Sequence, residues 1–123
     1  MSELNEIAEA LLSSTAAVDL NAVAETTLYT CPVGKSCIIT RVVVRNPSVS
    51  LGTLSASFGW NTANADDVIA NAAIALTGAT NYKIIGAASD AVRGVASGTF
   101  KIDVQTAEGE AATGTVEVFG YLY

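Results

Sequence analysis

The stretch Thr26-Thr27-Leu28-Tyr29-Thr30-Cys31-Pro32-Val33-Gly34-Lys35-Ser36-Cys37-Ile38-Ile39-Thr40-Arg41-Val42-Val43-Val44-Arg45-Asn46 decides the fold. A short run rich in β-branched and aromatic residues breaks at Pro32 and Gly34. It resumes as a longer β-branched run that stops at Asn46-Pro47-Ser48. Residues of this kind suit a pleated, half-buried surface, whereas Pro and Gly punctuate it. The expectation is a strand, a turn and a long strand, paired as a hairpin. On the long strand, Ile38, Thr40, Val42 and Val44 are placed on one face, with Arg41 and Arg45 on the other.

The same period of two recurs outward from this stretch. Leu54, Ala56, Phe58 and Trp60 alternate with Thr53, Ser55, Ser57 and Gly59, and Phe100, Ile102 and Val104 alternate with Lys101, Asp103 and Gln105. The closing run carries Val116, Val118 and Leu122 on one face and Glu117, Phe119, Tyr121 and Tyr123 on the other. Tyr82 to Ile85 reads as a short strand and Ala87 to Gly98 as a long loop of small residues. The run Asp67 to Leu76 fits both a helix and a strand; its β neighbours favour strand. Short intervals between turn clusters indicate an all-β antiparallel sandwich.

The first 25 residues read differently. Ser2 to Ser13 has Ser2 as a helix cap, Glu3 and Glu6 near the positive end of the dipole, and Leu4, Ile7 and Leu11 on one apolar stripe. So short a helix needs a partner surface, either its own domain or a neighbouring subunit. Ser13 to Glu25 reads as an extended linker or a first strand. The resulting division is an acidic helix and arm over residues 1–25 and a sandwich over 26–123.

A chain of 123 residues supports a single core. Charged residues make up 15%, below the usual quarter, so the expectation is that some uncharged surface is covered by assembly, with a well-packed monomer bearing a Ser/Thr/Asn-rich surface as the alternative. The net charge is −6, with six Lys and Arg in all, so phosphate binding and nucleic acid are not expected. Glu3, Glu6, Glu9, Asp19 and Glu25 fall in the first 25 residues, which hold no base. No secretory signal and no membrane span is expected, since the leading residues are acidic and no apolar run approaches about 20 residues.

Chemistry is sparse. The chain has no histidine, which removes Ser-His-Asp and Cys-His arrangements and the commonest metal ligand. Asp66 and Asp67 point opposite ways on extended backbone, and the Pro32-Val33-Gly34-Lys35 turn lacks the spacing of a phosphate loop. Asn61, Asn64, Asp66 and Asp67 read as a solvated loop rather than a calcium site. Trp60 shares the register of Leu54 and Phe58, so a core position is preferred to a sugar platform. Cys31 and Cys37 flank the turn and would face each other. Free thiols are expected in a reducing cytosol, with a disulfide formed after lysis as the alternative. No enzyme activity, cofactor or metal is expected.

One set of segments resembles small β-sandwich proteins of tailed-phage virions. Its carriers are LYTCPVGKSCIITRVVVRN at Leu28 to Asn46, SFGWN at Ser57 to Asn61 with DDVIANA at Asp66 to Ala72, LTGATNY at Leu76 to Tyr82, and TVEVFGYL at Thr115 to Leu122. The likeness covers most of Leu20 to Tyr123. It implies a jelly-roll-type sandwich that forms homotrimers and serves as a capsid decoration, head-fibre or other virion surface component. The chain departs from the pattern at Cys31 and Cys37, where aliphatic residues are more usual, and in its acidic leader. The implied function is a trimeric decoration protein on the phage head, made in the host cytoplasm and carried on the virion, with the major capsid protein or another virion protein as partner. The alternatives are a carbohydrate-binding or adhesin module, or a tail or neck component. Apart from the resemblance, the residue pattern itself marks interface residues: Leu4, Ile7 and Leu11 on the apolar stripe, docking on another chain, and Phe119, Tyr121 and Tyr123 on an apolar outer face of the last strand. The alternative is that this face lies under the loop from Ala87 to Gly98.

Overall fold

The computed structural model describes residues 9–61 and 65–123. Among the described residues the chain forms strands β1 (Ala10–Asp19), β2 (Glu25–Thr30), β3 (Cys37–Arg45), β4 (Ser55–Gly59), β5 (Ile69–Ala73), β6 (Tyr82–Gly86), β7 (Thr99–Thr106) and β8 (Thr113–Leu122). They make two four-stranded antiparallel sheets. Sheet I has the order β1-β8-β3-β6 and sheet II the order β2-β7-β4-β5. The sandwich read from the alternating patterns is therefore present. Every connection except β4–β5 crosses from one sheet to the other, an order compatible with a jelly roll.

The core lies between the sheets. Phe58, Phe100, Leu20, Leu51, Leu54, Ile74 and Ile102 are its largest fully buried side chains. The rings of Phe58 and Phe100 stack at 6.4 Å with 17° between their planes. On β7 and β8 the core residues Phe100, Ile102, Val104, Val116 and Val118 fall at every second position, as period-two patterning requires, whereas on β4 Ser57 and Gly59 are buried as well as Ala56 and Phe58. The ambiguous segment at Asp67 to Leu76 supplies β5, an edge strand of sheet II.

Three expectations are corrected. The first is the hairpin. β2 lies in sheet II and β3 in sheet I, so the turn around Pro32 carries the chain across the sandwich instead of folding it back. Each strand finds a better partner far along the chain. β2 pairs with β7, which carries Phe100 and Ile102, and β3 pairs with β8 and β6. Gly34, at φ 81°, supplies the left-handed step that this crossing needs.

The second correction concerns faces. The register between β3 and β8 slips between Ile39 and Arg41, leaving Thr40 as an extra residue. A bulge of this kind reverses side-chain parity on either side of it. Ile39, Val42 and Val44 therefore point into the core, while Ile38 is 42% exposed on the outer face, away from the face of Val42 on which it was placed.

The third is the leader. Ala10 to Ser13, expected to end a helix, instead open β1, which pairs with β8 from Ala10↔Gly120 to Asp19↔Thr113. Helix propensity is a weak prior. Here β8 offers a full edge of backbone partners, and Val18 and Leu20 are buried at 2% and 0% exposure. From Ala10 onward the chain is thus part of the sandwich rather than a detached arm. Leu4 and Ile7 lie outside the described residues.

Candidate assembly surface

The outer face of sheet I is built around β8, the strand between β1 and β3. Val116 and Val118 are fully buried beneath it, so Glu117, Phe119 and Tyr121 point outward. Register then fixes their neighbours. Leu11 and Arg41 flank Phe119, Ser14 and Val43 flank Glu117, and Ile38 pairs with Tyr121. Ile84 lies beyond Val43, and Tyr82 beyond Arg45.

Charges on this face are matched within the chain. The Arg45 guanidinium donates to Glu117 Oε2 at 3.1 Å, and Ser14 Oγ donates to the same oxygen at 3.3 Å. Arg45 beside it holds the Glu117 carboxyl below its ordinary value of 4.5, against the opposing effect of burial. The guanidinium of Arg41 lies 3.9 Å from the centroid of the Phe119 ring and donates to Glu9 Oε1 at 3.1 Å. Thr40 Oγ1 donates to the other Glu9 oxygen, and this bond is the main cause that lowers the Glu9 carboxyl.

Beside these paired charges the face exposes apolar side chains. Leu11 is 51% exposed, Ile84 52%, Tyr82 64% and Tyr123 54%. At the end where β3 begins and β8 finishes, Ile38, Tyr121, Leu122 and Tyr123 line a depression of about 390 Å³. Its wall is held by the backbone, because Ser36 and Tyr123 exchange N–H···O bonds of 2.8 and 3.0 Å. Exposed apolar side chains gathered on one face of a sheet are the kind of surface that marks interaction sites.

Of the expected interface residues, Leu11, Phe119, Tyr121 and Tyr123 are brought onto this one end and face. Leu4 and Ile7 fall outside the described residues. The sequence reading missed Ile38, Tyr82 and Ile84. Ile38 was hidden by the bulge at Thr40, whereas the shared parity of Tyr82 and Ile84 was a usable signal. The loop from Ala87 to Gly98 bonds through its backbone to Thr40, Val68, Asp67, Cys37 and Cys31 rather than to β8.

The other singled-out residues have structural partners. Trp60 tilts against Phe100 at 5.2 Å, and its indole lies on Gly94, where a Cβ would sit 2.7 Å from Trp60 Cζ3. It forms part of the core wall. Asp67 Oδ1 accepts the backbone N–H groups of Trp60 at 2.6 Å and Asn61 at 3.4 Å, and Asn61 and Asp66 bond each other twice. These carboxylates shape their own loop, and Asn64 lies outside the described residues. Cys31 and Cys37 are buried free thiols. Burial, with a further contribution from Cys31, pushes the Cys37 thiol up to about 12.

No protein-family model and no curated protein sequence matches the chain. Among the solved structures that share its fold are chains from two phage capsids. One is a chain of the acidic stable capsid structure of the Helicobacter pylori bacteriophage KHP30, at a TM-score of 0.55 and 15% identity over 93% of this chain and 91% of that one. The other is a chain of the cyanophage Pam1 capsid asymmetric unit, at a TM-score of 0.55 and 17% identity over 94% of this chain and 84% of that one. At such identities the likeness is one of fold, and it extends over nearly the whole sandwich.

Proposed function

We propose that this chain is a structural protein of a tailed-phage virion, a trimeric decoration protein seated on the head surface. The observation that carries the reading is the outer face of sheet I. Its charges are paired internally, it exposes Leu11, Ile84, Tyr82 and Tyr123, and it belongs to a fold that also occurs in two phage capsid structures. Copies of the chain meet through Phe119, Tyr121 and Tyr123, and Leu11 with the residues before it faces another virion protein, the major capsid protein being the first choice. The protein acts by assembly rather than catalysis, in keeping with a sequence that has no histidine. A sugar-binding reading has less support, since Trp60, the aromatic it would use, packs on Phe100 and Gly94. Electron microscopy of particles labelled with an antibody against this chain tests the proposal. Label spread over heads is expected; label confined to tails or necks, or no label on particles, overturns the head assignment.

A further inference from the structure

Cys31 and Cys37 stand at the two ends of the turn that takes the chain from sheet II to sheet I, and they are 1% and 0% exposed. Their backbones are fixed to one common segment. Cys31 N–H donates to Gly98 O at 2.8 Å, and Cys31 O accepts from Ser97 N at 2.9 Å. Cys37 exchanges bonds of 2.9 and 2.8 Å with Gly94. This shared strut sets the side chains side by side. The Cys31 S–H donates to Lys35 O at 3.4 Å, and Cys31 and Tyr29 both act electrostatically on the Cys37 thiol. Two buried cysteines whose backbones are anchored to one common segment stand as a pair rather than as two separate core residues.

We propose that Cys31 and Cys37 are a redox-responsive staple: thiols in reducing surroundings, and a disulfide tying sheet II to sheet I in surroundings rich in a small-molecule disulfide such as oxidised glutathione. One cysteine thiolate attacks a sulfur of oxidised glutathione, forming a mixed disulfide and releasing one glutathione thiolate, which takes up a proton. The second cysteine thiolate attacks the protein sulfur of that mixed disulfide and expels the second glutathione. In sum the dithiol loses two electrons and two protons, and oxidised glutathione becomes two reduced molecules. Burial keeps both sulfurs out of reach of solvent in the closed fold, so the attack proceeds when the 94–98 segment lifts. The inference stands on the crossover alone and holds whichever assembly the protein joins.

The test brings the full-length chain to equilibrium in glutathione buffers of graded composition. Equilibrium is approached from the reduced protein and from protein oxidised while unfolded and then refolded. Samples are quenched in acid, alkylated in denaturant and weighed intact, with the same series run in denaturant as reference. The expected product is two hydrogens lighter, takes no alkylating label, and yields a Cys31–Cys37 linked peptide. The folded chain should oxidise at a ratio of oxidised to reduced glutathione at least about tenfold lower than the unfolded chain, about 30 mV in potential. Cys31→Ser and Cys37→Ser should each keep one labelled thiol throughout. A folded chain that needs the same or a more oxidising buffer than the unfolded one overturns the proposal. So does a stable mixed disulfide, or an oxidised chain that cannot refold.

Discussion

Gly120 shows how much a single position can decide. It lies opposite the bulge at Thr40, where a Cβ would collide with the Ile38 carbonyl and come within 3.0 Å of Ile39 Cα. Backbone cannot give way as a flexible side chain can. Gly120→Ala should therefore cost about 2–3 kcal/mol, lowering the melting temperature by on the order of 10 °C. Gly109→Ala meets nothing within 4 Å and should change stability by less than about 0.5 kcal/mol. Equal melting temperatures for the two variants would mean that the bulge is not where the register places it. Glu117 gives a second residue-level test. Its folded carboxyl is lowered below 4.5, chiefly by Arg45, so its stabilising effect is present above pH 4.5 and lost as the pH falls through the lowered value. The gap in melting temperature between the native protein and Glu117→Gln should close in acid below pH 4.5. A gap that stays constant from neutral to acid pH would contradict the pairing.

At the level of elements, alternation was a good guide to which segments are strands and a poor one to which strands meet. Leu54 to Gly59 and Phe100 to Gln105 show period two in the sequence and form β4 and β7. The partners of β2 and β3 lie far along the chain, in β7 for the one and in β6 and β8 for the other, and no local pattern encodes that choice. The bulge at Thr40 was equally invisible, since Thr40 fits a regular strand as well as a bulged one. The leader misled because Leu4, Ile7 and Leu11 carry helical spacing, while the burial of Val18 and Leu20 draws the adjoining segment into sheet I. This predicts a sharp boundary on truncation. Deleting residues 1–8 leaves β1 whole and should shift the melting temperature by less than about 3 °C. Deleting residues 1–20 removes β1 with Val18 and Leu20, exposes the edge of β8, and should abolish folding. If the shorter deletion unfolded the protein, residues 1–8 would belong to its own core and not to a contact with another chain.

For the whole molecule, the candidate surface was half legible. Both faces of β8 are apolar in the sequence, and that pattern singled out Phe119, Tyr121 and Tyr123. It did not reveal that β8 is interior to sheet I, nor that Ile38, Ile84 and Tyr82 extend the same face from β3 and β6. The two outer edges of sheet I differ in their readiness to pair. β1 carries irregularities between Leu11 and Ser13 and between Thr15 and Val18, which blunt it against strand addition. Association is therefore expected through the face rather than along that edge. Replacing Tyr121 and Tyr123 together by Ser removes two aromatics from the depression and leaves the buried Val116 and Val118 in place. Light scattering at micromolar concentration, on the native chain and on this double variant, tests the assembly surface most directly. The account predicts three times the 12.5 kDa chain mass for the native protein, and a folded species of one chain mass with unchanged far-ultraviolet circular dichroism for the variant. A native protein that scatters as a single 12.5 kDa chain, or a variant that remains trimeric, would contradict it.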